Sequence, residues 1–276
     1  EWPTEPFLYP YHEQGRRVVA HELNFDSRQK ARLVEALRRN VRPENAVYRY
    51  NYVKDNCATR PLRAVELAAC DTVLLAPAPF EAQSLLRPTF RNVMRAHHVR
   101  YPWYQFGIDL ALGSGIDYTI DRRELAFTPV ELDGMLAGAT VGGKPLVKAT
   151  HVLCDTDPFN AELAPTPWYL TPGAVFSLFF AATALLTLSD IRRRRVARWF
   201  DAVLFACVGI TGLVLTFLIF VSVHEATSPN WLYVWLNPLA LAVPALIWIK
   251  KAKNALICYQ IANFAVLTAL LAIWYF

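Results

Sequence analysis

Hydrophobic and polar positions divide the chain into two regimes. Up to about residue 154, short apolar runs are interleaved with polar ones; after about residue 170, apolar residues dominate. In the first regime, residues 16–23 read as a strand. Asp26 and Ser27 supply an N-cap for a helix over residues 28–40, where Ala31, Leu33, Val34 and Leu37 form the buried stripe. Residues 48–53 alternate aromatic and polar side chains, the period of a half-buried strand. Asp55 and Asn56 break that strand, and residues 58–70 read as a helix. Its apolar face is Leu62, Val65, Leu67 and Ala68, and Pro61 sits in the first turn, where a missing N–H costs nothing. Residues 73–79 are apolar but broken by proline and read as a loop. Short helices are expected over residues 89–98 and 131–139, a turn at Gly142-Gly143 and a last strand over residues 144–153.

The second regime holds four apolar spans, at about 174–188, 199–223, 231–249 and 255–276. A bilayer needs about 20 residues, which the first span reaches only by recruiting its flanks. Arg192, Arg193, Arg194, Arg195 and Arg198 separate the first two spans; Lys250, Lys251 and Lys253 separate the last two. By the positive-inside rule both basic loops, at 192–198 and 250–253, are cytoplasmic. With one span before the first loop, the N-terminal domain then lies on the outer, periplasmic face of the inner membrane. Trp168, Tyr169, Trp231, Tyr233 and Trp235 fall where interfacial aromatics of that face are expected.

Composition sharpens the picture only in places. The expected organisation is a soluble domain over 1–154, a proline-rich linker over 155–173 and a membrane domain over 174–276. The net charge of +5 comes partly from the two basic clusters beside spans, and no basic stripe interleaved with aromatics points to nucleic acid. Five cysteines without metal-ligand spacing exclude a disulfide scaffold and a zinc module, and nothing calls for a metal or a cofactor. Cys207 and Cys258 lie inside spans and read as packing residues.

The strongest chemical signal is Cys57. It stands where the expected strand hands over to a helix N-terminus, with the positive end of the helix dipole and Arg60 nearby, as a cysteine nucleophile requires. The bland alternative is a small buried residue. A bridge to Cys70 is a third reading, but an intact helix would hold the two about 19 Å apart. Asn56 and Asp55 read as caps of the same helix. His97 and His98, at the end of an expected helix, are either solvated caps or the base for Cys57. His12 and His21 read as surface or strand residues. Asp109 and Asp117 either orient a histidine or a substrate group, or serve as caps and turns. His224 and Asn230, in a loop on the periplasmic side, are interfacial residues or contacts to a lipid headgroup.

Tyr48-Arg49-Tyr50-Asn51-Tyr52-Val53-Lys54-Asp55-Asn56-Cys57-Ala58-Thr59-Arg60 resembles the signature of the Lnb-type periplasmic domain, a family of bacterial lipoprotein N-acyltransferases. Thr89-Phe90-Arg91, Pro102-Trp103, the run from Phe106 to Gly113, Asp117 and Phe127-Thr128-Pro129 resemble further blocks of that family. The apolar C-terminal part resembles its multi-helix membrane domain. One departure is Thr59-Arg60-Pro61-Leu62-Arg63-Ala64, where the family usually continues Thr-Arg-x-Arg-Asp. The resemblance implies an α+β soluble domain of partial, permuted papain-like type, followed by an α-helical transmembrane domain. It also implies thiol-dependent N-acylation of the lipidated N-terminal cysteine of lipoproteins. Cys57 would be the nucleophile, helix-start N–H groups the oxyanion donors, and Asn56 or Arg60 further stabilisers. Arg91, Asp109, Asp117 and Asp55 would support the site. The partners implied are a phospholipid or lipoprotein acyl donor, a lipoprotein substrate and the membrane. A papain-like peptidase or amidase and a non-catalytic membrane scaffold remain the rival classes. The family's catalytic histidine is expected in a Gly-His segment upstream; no Gly-His pair occurs here, so a fragment lacking its base is expected.

Overall fold

The computed structural model describes residues 3–155 and 165–274. In chain order its main elements are α1 (Thr4–Glu13), β1 (Val18–Leu23), α2 (Ser27–Asn40), α3 (Thr59–Ala69), β2 (Val73–Leu74), α4 (Phe90–His97), α5 (Pro102–Ala111), α6 (Pro129–Ala137), β3 (Thr140–Val141), β4 (Lys144–Pro145), β5 (Val147–Cys154), α7 (Pro172–Arg193), α8 (Arg198–Thr216) and α9 (Lys253–Trp274). They fall into two units: Glu1–Arg100 with Asp117–Pro165, and Tyr101–Ile116 with Thr166–Phe276. The soluble domain was expected to run unbroken over 1–154; instead Tyr101–Ile116 leaves it for the second unit. Of the linker expected over 155–173, residues 156–164 lie outside the described residues.

The first unit mixes helices with two small antiparallel sheets, one pairing β1 with β5 and one ordered β2-β3-β4. Its helices begin on local caps. Asp26 and Gln29 form a reciprocal capping box at α2, and the Thr89 and Thr128 hydroxyls accept from Asn92 and Glu131 N–H at α4 and α6. The apolar C-terminal end of α3 buries Ala68 and Ala69 against Phe25, Ala139 and Leu146, with Leu33 of α2 and Leu136 of α6 packed around them. Burying such side chains contributes about 1.5–3 kcal/mol each for the larger ones. The unit thus buries α3 at both ends, with Ala58, Thr59 and Leu62 covered at its start, while Cys57 just before them is exposed.

Residues 48–53 are not a strand. The chain closes on itself after Tyr50: Asn51 and Asp55 exchange both backbone hydrogen bonds, at 3.0 and 3.1 Å. The Asn51 carboxamide oxygen accepts from Val53 and Lys54 N–H, at 3.2 and 3.0 Å. A polar side chain that bonds its own backbone two and three residues on competes with a sheet ladder and wins here.

The second unit contains three described helices long and apolar enough to cross a membrane: Pro172–Arg193, Arg198–Val221 and Lys250–Ile273. The first is longer than the sequence suggested. Thr171 caps it and Pro172 opens it, so the flanking residues join the helix. The last turn of the second widens into a π-helical turn at Phe217–Val221. The span expected over 231–249 is not a continuous helix. It consists of short helical turns at Trp231–Val234, Pro238–Leu241 and Ala242–Leu246. Pro238 and Pro244 withhold N–H groups, and Asn237 turns its side-chain oxygen onto Leu239 N–H at 3.1 Å. The broken segment runs antiparallel along α8: Tyr233 meets Thr216, Asn237 and Pro238 meet Gly212, Leu241 meets Gly209, and the Trp248 ring lies 5.0 Å from Trp199. Gly209 and Gly212 let the two backbones approach that closely. Irregular backbone at membrane depth is tolerated where protein covers it, and Ala240 and Val243 are buried.

Candidate active site

Cys57 is placed by its neighbour. Asn56 is 4% exposed, and every polar atom of its side chain is used. Its oxygen accepts from Ala58 and Thr59 N–H at 2.9 and 3.0 Å, capping α3. Its nitrogen donates to the carbonyls of Tyr52, at 2.9 Å, and Phe127, at 2.8 Å. The Asn56 N–H donates to the Thr59 hydroxyl at 2.9 Å, completing a reciprocal lock on the helix start. Phe127 is itself fixed edge-on against Phe90, with ring centroids 4.9 Å apart. The side chain of Asn56 thus ties three stretches together, and Cys57 projects from that knot as an exposed free thiol.

This arrangement changes two of the expected roles. The Asn56 amide is committed to carbonyls and has no donor left for an oxyanion. The N–H groups of Ala58 and Thr59 are committed to Asn56. Arg60 is also engaged: it grips Asp55 through two hydrogen bonds of 3.0 and 3.1 Å, and its guanidinium lies 3.2 Å from the centroid of the Tyr48 ring. Arg63 joins the same carboxylate at 2.9 Å and donates to the Lys54 carbonyl at 2.7 Å. Asp55 therefore neutralises part of the positive charge beside the thiol, and the arginines brace the turn before it.

Tyr50 was part of the quoted motif but received no role from the sequence. In the structure its hydroxyl lies within hydrogen-bonding reach of Cys57. Partial burial and, next, the negative charge of a Cys57 thiolate push the phenol above its ordinary pKa. A phenol held protonated is a donor, suited to stabilising negative charge on sulfur. A hydrogen bond to a charged group is worth about 1.5–3 kcal/mol. Tyr50→Phe should therefore slow alkylation of Cys57 by iodoacetamide near neutral pH by about tenfold, which corresponds to about 1.4 kcal/mol. Site-resolved mass spectrometry reads the rate; an unchanged rate removes Tyr50 from the site.

Among the described residues no histidine ring is hydrogen-bonded to Cys57. His97 meets the Glu131 carboxylate at 3.0 Å, and the other oxygen of Glu131 accepts from Phe80 N–H at 2.8 Å. Glu131 is 1% exposed, a buried carboxylate that the sequence did not single out. His98 closes α4 as its C-terminal cap. His21 bonds Asp133 at 2.7 Å and Thr150 at 3.0 Å, joining β1, β5 and α6. Arg91 is paired with Asp117 through hydrogen bonds of 2.7 and 3.3 Å. Nearby, the Tyr118 phenol is pushed up to about 12, first by burial and then by its hydrogen bond to Glu124.

Three predicted residues lie in the other unit. Asp109 is half-buried on α5. The Ser222 hydroxyl and the His224 Nδ1 are 2.7 Å apart. Asn230 is 8% exposed; its nitrogen donates to the Leu110 carbonyl at 2.9 Å and its oxygen accepts from Leu232 N–H at 3.0 Å. Asn230 is thus a buried tie between two segments rather than an open headgroup ligand. Among the described residues no group of three His, Cys, Asp or Glu side chains is placed to hold a metal ion.

A folded unit of helices and small sheets, carrying an exposed cysteine ahead of a helix and followed by three membrane-length apolar helices, defines a membrane protein with a soluble N-terminal domain. Two family models match it: the Lnb N-terminal periplasmic domain over residues 3–94 and the Lnb transmembrane domain over residues 164–276. The chain belongs to the Lnb family, and its N-terminal domain is periplasmic. No curated protein and no solved structure matches the chain.

Proposed function

We propose that this protein is a thiol-dependent acyltransferase that N-acylates the lipidated N-terminal cysteine of bacterial lipoproteins. The observation that carries the reading is the exposed Cys57 thiol, held ahead of α3 by the buried Asn56 and touched by the Tyr50 hydroxyl. In the first half-reaction the Cys57 sulfur attacks the carbonyl of an acyl ester in a phospholipid or lipoprotein donor. A thioester forms, and the alcohol leaves with a proton. In the second, the substrate's free N-terminal amine attacks the thioester, forming the amide and returning the thiol. The Tyr50 phenol beside Cys57 takes over the charge-stabilising role expected of Asn56 and Arg60.

The test is an acyl-exchange assay in proteoliposomes, with a phospholipid donor and a diacylated lipopeptide acceptor. Mass spectrometry should show the acceptor gaining one acyl chain. Release of fatty acid alone would favour the papain-like hydrolase, and no reaction at all would favour a scaffold. The same reading requires a set topology: a reporter inserted among Arg192–Arg195 should report the cytoplasm and one at Ser228 the periplasm. The opposite pattern would exclude a role in lipoprotein maturation.

A further inference from the structure

The segment Tyr101–Ile116 lies between the two family-matched stretches and belongs to the membrane unit. One end of its helix α5 is tied to α7 and the other to the loop that follows α8. At the first turn, the Trp103 indole N–H donates to the Leu170 carbonyl at 2.7 Å, just ahead of α7. Trp103 and Phe106 stack on Phe176 in the opening turns of α7, with centroids 6.2 and 5.2 Å apart. At the other end, Asn230 donates to the Leu110 carbonyl at 2.9 Å. Gly113 N–H donates to the Ala226 carbonyl at 2.9 Å, and Ser114 N–H to the Pro229 carbonyl at 2.7 Å. Gly113 and Gly115 have no room for a Cβ against the backbone of Ser228 and Pro229, so this contact is close-packed. The loop they meet follows the outer end of α8.

A ten-residue helix is about 15 Å long, half the thickness of a hydrocarbon core of about 30 Å. The start of α7 and the end of α8 therefore lie on the same side of the bilayer, and α5 bridges them. Asp109 is the one charged residue between Tyr101 and Ile116, and it is half-buried. The open surface of α5 carries Trp103, Tyr104 and Phe106, which are 44%, 54% and 37% exposed. Trp168 and Tyr169 continue that surface next to Leu170. Trp and Tyr rings settle at headgroup level, and Trp and Phe line the lipid-facing side of interfacial helices.

We propose that α5 is an interfacial helix. It lies in the plane of the membrane across the periplasmic ends of α7 and α8, with Trp103, Tyr104 and Phe106 in the headgroup layer, and its partner is the lipid bilayer. The chain enters this helix from the first unit at Arg100 and returns to it at Asp117.

Gly107 tests the placement. It is exposed, and a Cβ there would meet nothing within 4 Å. In the full chain with its native cysteines replaced by alanine, Gly107→Cys would carry an environment-sensitive fluorophore, with Arg28→Cys on α2 as the reference. Both proteins would be reconstituted in phosphatidylcholine vesicles bearing nitroxides either near the headgroup end or near the methyl end of the acyl chain. The Gly107 label should emit to the blue of the Arg28 label. It should lose most of its fluorescence to the shallow nitroxide and clearly less to the deep one. Water-like emission without quenching would overturn the proposal and leave the face to a protein partner. Stronger quenching by the deep nitroxide would overturn the in-plane placement. A Tyr104→Cys label guards against a local effect of the Gly107 substitution and should behave like the Gly107 label; if the two disagree, the proposal fails. The readout is independent of acyl transfer, so it stands or falls apart from the proposed activity.

Discussion

Cys57→Ser will abolish acyl transfer while leaving the protein folded and inserted. A serine hydroxyl of the same shape is far less acidic than a thiol and cannot form the thioester, so a loss on the order of 10³-fold or more is expected. The side chain at this position is exposed, and it is the following Asn56–Thr59 lock, not the thiol, that holds the turn. A conservative surface substitution of this kind should move stability by no more than about 0.5 kcal/mol. The decisive measurement is single-turnover transfer from a phospholipid donor, with trapping of the acyl-enzyme by mass spectrometry. The wild type should show a hydroxylamine-sensitive acyl adduct on the peptide containing Cys57. A serine variant that still transfers at near wild-type rate would end the nucleophile hypothesis.

The parts of this fold that were legible in the sequence are those set by local chemistry. The capped helices at Ser27–Asn40, Phe90–His97 and Pro129–Ala137 begin where a Thr or Asp side chain reaches back to its own backbone. The Thr59–Ala69 helix and the position of Cys57 before it followed from the same kind of signal. Errors arose where a side chain outbid the pattern. Alternation across Tyr48, Tyr50 and Tyr52 has the period of a strand, yet Asn51 folds the chain back after Tyr50. That turn is what brings Tyr50 over Cys57; a strand would have carried both onward. Hydropathy placed the membrane spans but could not tell a continuous helix from the proline-broken segment packed on Gly209 and Gly212. The pairing of His97 with Glu131, 34 residues apart, and the docking of α5 on residues between 67 and 120 positions away are tertiary facts that no local period encodes. The sequence marked the Asp-Asn-Cys block as the candidate site; in the structure the Asn56 side chain is committed to the turn and to the start of α3.

That commitment carries the second large effect. Asn56→Ala will destabilise the periplasmic domain by about 3 kcal/mol. Removing the cap from α3 costs about 1–2 kcal/mol, and the carbonyls of Tyr52 and Phe127 each lose a buried donor at roughly 1 kcal/mol or more. Those bonds are short, at 2.9 and 2.8 Å, and the group that makes them is 4% exposed, so water cannot readily replace it. For a domain of this size each kcal/mol moves the melting temperature by about 2–4 °C, which gives a drop of about 6–12 °C. Had Asn56 been a solvated catalytic group, its removal would have cost activity and almost no stability. Circular dichroism melts of the full chain in detergent would separate the two cases. The neighbouring Asp55→Ala is the control: it breaks the contacts to Arg60 and Arg63, whose side chains are 35% and 49% exposed, and should cost about 1 kcal/mol. A shift in Asn56→Ala no larger than that of Asp55→Ala would show that Asn56 does not hold the turn, and its side chain would again be available for the chemistry at Cys57.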